Sequence, residues 1–313
     1  MPATAYDSEK FFRGLVDAGL IIPVGVPGIF GRNQVFEDVL ERFNTLVNEI
    51  AKNDGAEYFL YPPTMSRGVL EQSGFLDSFP DLAGTVFSFK GKELDARQLS
   101  EAIHNGENWE PYQNMTEVAL NPAACYPVYP SFTGTVPKEG KLVTVLNWVF
   151  RREPSREPTR MQSFRMREFV RCGTPGQVIQ WRDMWLQRGL LLLQSLQLPV
   201  RAEVASDPFF GRVGKILADS QRQQKLKFEV TAPVISGERR TALCSFNFHQ
   251  DHFGEAFHIR TEDGNVANTA CLGIGLERVV MALFQAHGFD PEKWPSEVHD
   301  KLWVRTQHAR TRS

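Results

Sequence analysis

The sequence has no surplus of either charge. Its 313 residues carry 35 Lys and Arg against 37 Asp and Glu, a net charge of −2, so the basic excess that dominates nucleic-acid affinity is missing. Cysteine is scarce: Cys125, Cys172, Cys244 and Cys271 form no CxxC pair, and the N-terminal MPATAYDSEKFF has no basic-then-apolar signal order, which together point to a reducing cytoplasm. No long hydrophobic run exists either. The most apolar one, Gly189 to Leu193, soon meets Gln194 and Gln197 and is far too short to span a bilayer, so no membrane partner is expected. Repeats and low-complexity tracts are absent. What is present is core material, with 42% hydrophobic residues and room for one large domain or two small ones.

Along the chain, Leu20 to Val26 reads as an extended lead-in ending in turns at Pro27-Gly28 and Gly31. Asn33 is a fair helix cap. Val35, Phe36, Val39, Leu40, Phe43, Leu46, Val47 and Ile50 recur at three- and four-residue steps and predict a helix over 35–50, stopping at Asn53-Asp54-Gly55. A strand at 57–61, closed by Pro62-Pro63, follows; then come a short helix with a loop at 68–82, a strand at 85–89 and a helix at 94–105. Asn114 to Cys125 mixes strand and turn, 133–139 is a Gly/Pro loop, and 142–150 is a strand. Trp181, Trp185 and Leu192 mark a core helix over 178–198. A shorter helix at 211–224 is expected to turn Val213, Ile216 and Leu217 inward and Arg212, Lys215 and Arg222 outward. Strands follow at 226–235 and 241–249. In the second, Ala242, Cys244, Phe246 and Phe248 share one face, while Ser245, Asn247 and His249 share the other, which suits a site wall. Asn268 to Leu272 reads as a strand, Gly273-Ile274-Gly275 as a glycine turn, and Leu276 to His287 as a helix capped by Gly288.

Three groups of residues carry chemistry. In the stretch Val149 to Val170, VFRREPSREPTRMQSFRMREFV, strand alternation aligns Phe164 with Glu168 and, on the preceding strand, Arg151 with Glu153. The two strands pair as an antiparallel hairpin across a loop of about ten residues, longer than a structural hairpin needs. Fixed arginines suit a polyphosphate, and an exposed aromatic between them offers a surface for a base. The same residues also fit a charged surface hairpin with Phe164 in the core. Gly273-Ile274-Gly275-Leu276-Glu277-Arg278 opens a helix after a strand, where backbone N–H groups and Arg278 can meet another phosphate. Cys125, Glu168 and Cys271 are too far apart for spacing to define a zinc site, and a free cysteine is usually a small buried hydrophobe.

In order and spacing, Phe150-Arg151-Arg152-Glu153 and Arg160 to Phe164 resemble the FRxE and RxxxF elements of motif 2 in class II aminoacyl-tRNA synthetases, and 273–278 resembles their GxGxxR-type motif 3. The 35–50 helix with Pro62-Pro63 resembles motif 1, the dimer interface of that family. Met115-Thr116-Glu117-Val118 resembles the TxE element of seryl enzymes, and Lys227-Phe228-Glu229-Val230 with Cys244-Ser245 resembles their penultimate strands. The resemblance implies an α+β fold, a class II aminoacyl-tRNA synthetase-like antiparallel β-sheet flanked by helices. It also implies a single catalytic domain over 33–313 after a lead-in at 1–32, and a homodimer. By the same resemblance Arg151 and Arg278 are catalytic. Arg151 holds the α-phosphate and the substrate carboxylate, Phe164 stacks on adenine, Glu153 contacts the adenine end, and Arg160 and Arg278 hold the γ-phosphate of ATP. Mg²⁺ accompanies ATP, but Arg240 stands where seryl enzymes place an acidic residue four positions before the Cys-Ser pair. Glu229 and Glu238 are then the nearest carboxylates. Glu117, Ser245 and Asn247 are the substrate candidates. Methanogen-type seryl enzymes bind an active-site zinc, and the matching residues here are Cys125, Glu168 and Cys271, which implies one Zn²⁺ with an open position for the amino group. Cys172 and Cys244 are read as structural.

About 32 residues precede the motif 1 match and about 25 follow the motif 3 helix, so neither a tRNA-binding arm nor an anticodon-binding domain is expected, and no tRNA partner. A core of this kind resembles the bacterial amino acid:[carrier protein] ligases. These activate a small amino acid, glycine or alanine, as its adenylate and pass it to the phosphopantetheine thiol of a small acidic carrier protein. Carrier docking needs local positive charge; the helix 211–224 with Lys225 and Lys227, and the tail with Arg305, Arg310 and Arg312, are candidates, or else ordinary solvated faces. A truncated seryl-type enzyme that charges tRNA and a non-catalytic amino-acid sensor are the other readings. A sensor would have lost phosphate-binding arginines, and none is missing.

Overall fold

Asn33 starts the helix its position predicts: its side chain accepts a hydrogen bond from the Phe36 N–H at 3.0 Å, and Gln34–Ala51 follows. Phe36, Val39, Leu40, Phe43 and Val47 are buried on one stripe of that helix, which packs against the helices Leu276–His287 and Ser296–Arg310. The structure, a computed structural model, describes residues 8–235 and 240–310, with side chains through Trp303.

The framework is a seven-stranded sheet in the order Arg201–Val204, Lys227–Ala232, Thr241–Gln250, Asn268–Gly275, Ser163–Gly173, Lys141–Phe150 and Glu57–Phe59. Every pairing is antiparallel except the last, in which Glu57–Phe59 runs parallel to Lys141–Phe150. Alternation along Ser163–Gly173 assigns the two faces. Arg165 reaches Glu37 and Glu277, Arg167 reaches Asn44, and Phe169 stacks on Trp185 with centroids 5.0 Å apart, so these odd-numbered residues meet the helices. Phe164, Met166 and Glu168 face the opposite side, where a cavity opens. A smaller sheet, Thr64–Ser66, Gln113–Leu120 and Thr85–Phe89, lies to one side. The α+β class, the helices at 34–51, 93–104 and 276–287, and the core helix, here Pro175–Ser195, agree with expectation.

Before Asn33, Ile21–Pro23 is extended as expected, and Ser8–Asp17, where the sequence pointed to no element, is a helix whose Phe11 and Leu15 enter the same core as Phe36. Three expectations need correction. Arg151 and Glu153 lie beyond the strand, which ends at Phe150; the Arg151 N–H donates to Gln162 O at 2.8 Å and closes the ladder where the connection begins. Gly273 and Gly275 form no turn but belong to Asn268–Gly275, which runs directly into the helix at Leu276. Glycine serves close approach here, since a Cβ on Gly273 would lie 3.1 Å from Met166 Cε and 3.2 Å from Ser245 Oγ. Finally, Val213, Ile216 and Leu217 of Gly211–Gln223 do not face inward: they are 69%, 69% and 45% exposed. Only Gly214 of that helix is buried, against the Phe209 backbone, so the periodicity located an apolar stripe but not its partner.

The lead-in buttresses the arginine connection. Gly28, at φ +79°, accepts from the Gln162 N–H at 2.7 Å, and a Cβ there would come within 3.1 Å of Arg160 O. Gly28→Ala is therefore expected to lower stability by about 1–2 kcal/mol. Thermal unfolding of the variant checks this; an unchanged midpoint would place the loop's support elsewhere.

Candidate active site

Sheet register builds the floor of the cavity row by row. Glu168 pairs with Gly273, Gly273 with Ser245 and Ser245 with Glu229. Two residues along, Val170 pairs with Cys271, Cys271 with Asn247 and Asn247 with Lys227. These residues come from four strands and share one face, so side chains distant in sequence meet without long reaches. The cavity above them has a volume of about 650 Å³, within the usual range for a small-molecule site.

At one end the arginines converge. The guanidinium carbons of Arg151 and Arg278 each lie 5.9 Å from the Phe164 ring centroid. Phe164 is thus 4% exposed, not the open surface expected of it, yet it still lines the cavity. Arg151 Nε donates to Pro122 O at 2.9 Å, and Arg278 Nε donates to Thr159 O at 2.9 Å, so both forks are anchored by backbone carbonyls. Burial and then the neighbouring Arg151 lower the Arg278 pKa, against the pull of Glu153 and Glu229. Arg160 is more open and lies 3.9 Å from Glu157. Arg278 follows Glu277, a fully buried carboxylate that accepts from the Arg165 N–H at 2.8 Å and from Arg165 Nε at 2.9 Å.

At the other end Cys125, Glu168 and Cys271 come together, with their ligand atoms all within 4.8 Å of one another. Cys125 arrives from outside the large sheet, at the turn between Gln113–Leu120 and the 3₁₀ segment Tyr126–Phe132. Glu168 is 1% exposed and accepts from the Ala124 N–H at 2.7 Å. Burial, and then the charge of Cys271, push its carboxyl up to about 8. The hydrogen bond between the thiols sends Cys125 well up and Cys271 well down. Asn247 Oδ1, beside the cluster, has no hydrogen-bond partner among the described residues, and the Tyr129 hydroxyl reaches Cys125. Two sulfurs and a carboxylate that repel one another when ionised are a donor set a divalent cation relieves, and their chemistry fits zinc.

Among the expected substrate residues, Ser245 and Asn247 line the cavity. Glu117 does not. Its side chain is 89% exposed and lies 3.4 Å from Arg67 on the outer face of the small sheet. Glu153 and Glu229 also line the cavity, whereas Glu238 lies outside the described residues. Arg240 bonds Thr231 Oγ1, Thr231 O and Pro199 O, and so pins the sheet edge. Of the remaining cysteines, Cys172 is buried away from the cavity and Cys244 sits in its wall; burial pushes both thiols up to about 12.

The structure brings two further residues into the cavity: Asp207, which the sequence did not single out, and Lys227, which was expected to offer docking charge but is only 8% exposed and so takes no part in a docking surface. Lys227 Nζ lies 2.5 Å from Asp207 Oδ1 and 3.3 Å from Glu229 Oε1. Burial opposes the charge on Lys227, but the two carboxylates outweigh it and raise the ammonium above its ordinary value. Alternation along Lys227–Ala232 puts Lys227 and Glu229 on one face, a signal the sequence did carry. Asp207 lies in a loop and gave none.

No protein-family model matches the chain. It is 42% identical over 288 residues to amino acid--[acyl-carrier-protein] ligase 1 of Bradyrhizobium diazoefficiens, an alignment covering 91% of this chain and 88% of that one. It is 29% identical over 198 residues to the type-2 serine--tRNA ligase of Methanopyrus kandleri, covering 58% of this chain and 37% of the relative. Among solved structures, that of M. kandleri seryl-tRNA synthetase in complex with A. aeolicus tRNASec superposes with a TM-score of 0.81 at 20% identity, over 98% of this chain and 62% of that one. That last likeness establishes the class II synthetase fold.

Proposed function

The chain belongs to the amino acid--[acyl-carrier-protein] ligases, and from that premise we propose that it activates a small amino acid, glycine or alanine, with ATP and passes it to the phosphopantetheine thiol of an acidic carrier protein. The observation that carries the reading is the single cavity with guanidinium groups at one end and the Cys125–Glu168–Cys271 cluster at the other. Activation is attack by the substrate carboxylate oxygen on the α-phosphorus of ATP, with pyrophosphate leaving; transfer is attack by the carrier thiol on the acyl carbon, with AMP leaving. Arg151 stabilises charge on the α-phosphate and orients the carboxylate. Arg160 and Arg278 hold the terminal phosphates, Phe164 backs the adenine and Glu153 contacts its edge. Mg²⁺ would travel with ATP, with Glu229 as its carboxylate. The work is alignment and charge stabilisation rather than general base catalysis.

Cys125, Glu168 and Cys271 would hold Zn²⁺, which supplies a fourth position for the substrate's amino group. Asn247 Oδ1, buried in the cavity wall without a partner among the described residues, would accept from that amine, beside Ser245. A small substrate agrees with Met166 crowding the Gly273 backbone. ATP–pyrophosphate exchange across the twenty amino acids, followed by thioester formation on a pantetheinylated carrier, tests the reading. Zinc-replete protein that exchanges with no amino acid would sink it.

Two surfaces support the partners. Tyr58 and Leu60, 55% and 75% exposed, lie at the sheet edge beside the helix Gln34–Ala51, and an apolar edge of this kind suits a homodimer. Phe210, Val213, Ile216 and Leu217 form an exposed apolar stripe next to Arg212 and Lys215, and the loop that precedes it, Ser206 to Pro208, lines the cavity. A carrier docked there would have its arm close to the acyl group, with apolar contact for affinity and positive charge for steering. The side chains of Arg305, Arg310 and Arg312 lie outside the described residues. Ile216→Asp is expected to leave amino-acid-dependent exchange intact while slowing thioester formation by about tenfold or more. Equal thioester rates would move the docking surface elsewhere.

A further inference from the structure

His249 sits behind the cavity wall, next to the cysteine cluster, and has no part in the chemistry above. The pairing of Thr241–Gln250 with Asn268–Gly275 slips between Phe248 and Gln250, so His249 is the residue without a strand partner. Such a bulge re-aims a side chain. Here the ring turns towards Cys271: Nε2 lies 3.5 Å from Cys271 Sγ, and Nδ1 lies 3.1 Å from Thr269 Oγ1. Phe253 and Tyr129 hold the ring edge-on, with centroids 4.9 Å and 6.2 Å away at 77° and 88°. His249 is half-buried, and the protein neighbours of its two ring nitrogens are a hydroxyl and a sulfur. Thr269 is fully buried. Its hydroxyl can donate to Nδ1, which puts the ring proton on Nε2, the nitrogen facing the sulfur. Asn247 Nδ2 donates to the same sulfur at 3.3 Å from its other side.

We propose that His249 is a positioning residue for the metal centre: oriented by Thr269, its imidazole donates Nε2–H to Cys271 Sγ and fixes that sulfur towards Cys125 and Glu168. The inference rests on the zinc reading and extends it. Partners of this kind orient a ligand and set metal affinity. Phenylalanine would fill the same space without the donor, and glutamine would keep a donor without the ring.

The test measures zinc affinity of the purified protein by competition with a chromophoric chelator, together with the thiolate-to-metal charge-transfer band of the cobalt-substituted protein. His249→Phe is expected to weaken zinc binding by about ten- to a hundredfold and to move the cobalt band to lower energy, because a thiolate relieved of a donor is more electron-rich. His249→Gln should recover most of both. Thr269→Val, nearly isosteric, should weaken binding by a smaller factor with a band shift of the same sign. His249→Phe that matches wild type, or His249→Gln as weak as His249→Phe, overturns the role of the N–H. Should His249→Phe fail to fold by circular dichroism, Thr269→Val decides, and unchanged affinity and band overturn the proposal. Wild-type protein that takes up neither metal overturns the zinc reading and this inference with it.

Discussion

Cys271→Ala is expected to lose bound zinc and amino-acid-dependent ATP–pyrophosphate exchange together, the latter by about a thousandfold, since removing a ligand should exceed the ten- to hundredfold cost of removing a ligand's supporting partner. Cys125→Ala should behave alike. The reason is geometric: the ligand atoms of Cys125, Glu168 and Cys271 lie within 4.8 Å of one another, and among the described residues no third cysteine joins them. Metal analysis of the purified variant and its exchange rate decide the matter, and unchanged zinc content would sink the ligand assignment. A pH dependence accompanies it. Without metal, Glu168 keeps its proton up to about 8, where an ordinary glutamate loses it near 4.5. The folded metal-free protein therefore binds the extra proton between those values, and this contribution to stability is lost as pH rises towards 8. A metal takes the proton's place, so zinc affinity should rise over the same interval and zinc uptake near neutral pH should release protons, measurable in weakly buffered solution.

Arg151→Ala is expected to lower kcat/KM for exchange by about 10²–10³, the usual cost of a lost transition-state donor, with zinc content unchanged. Arg151→Lys should restore little. The guanidinium uses Nε to anchor on Pro122 O and lies above Phe164, leaving its remaining N–H groups for the phosphate and carboxylate; an ammonium cannot anchor and present a planar fork at once. Exchange kinetics for the pair of variants, with metal content as the control, separate the nucleotide end of the cavity from the metal end. A lysine variant near wild-type activity would reduce Arg151 to a simple charge.

Much of the nucleotide end was legible because it is local. Strand alternation alone put Phe164 and Glu168 on one face, and both line the cavity; the motif spacing from Phe150 to Phe164 carried the arginines. The metal end was less so. The residues at 125, 168 and 271 have no spacing rule, and their meeting rests on non-local pairings such as Glu168 with Gly273 and Asn247 with Cys271. His249 was placed on a polar face by alternation, but the bulge that aims it at Cys271 leaves no mark in a single sequence. Glu117 shows the converse: a motif match found it, yet the small sheet turns its carboxylate out towards Arg67.

By itself the sequence determined the periodic facts: which residues share a face, where helices start, that the chain has no basic surplus and, by resemblance, that it is built like a class II synthetase core. The tertiary structure decided what each face meets. Val213, Ile216 and Leu217 form a real apolar stripe, but only the packing of Gly214 against Phe209 shows that it points to solvent. Likewise Gly273 reads as a turn until the sheet places Glu168 and Ser245 on either side of it. Hydrophobic period is a property of one segment and survives in the sequence. Register and strand order are agreements between segments far apart in the chain, and only folding makes them.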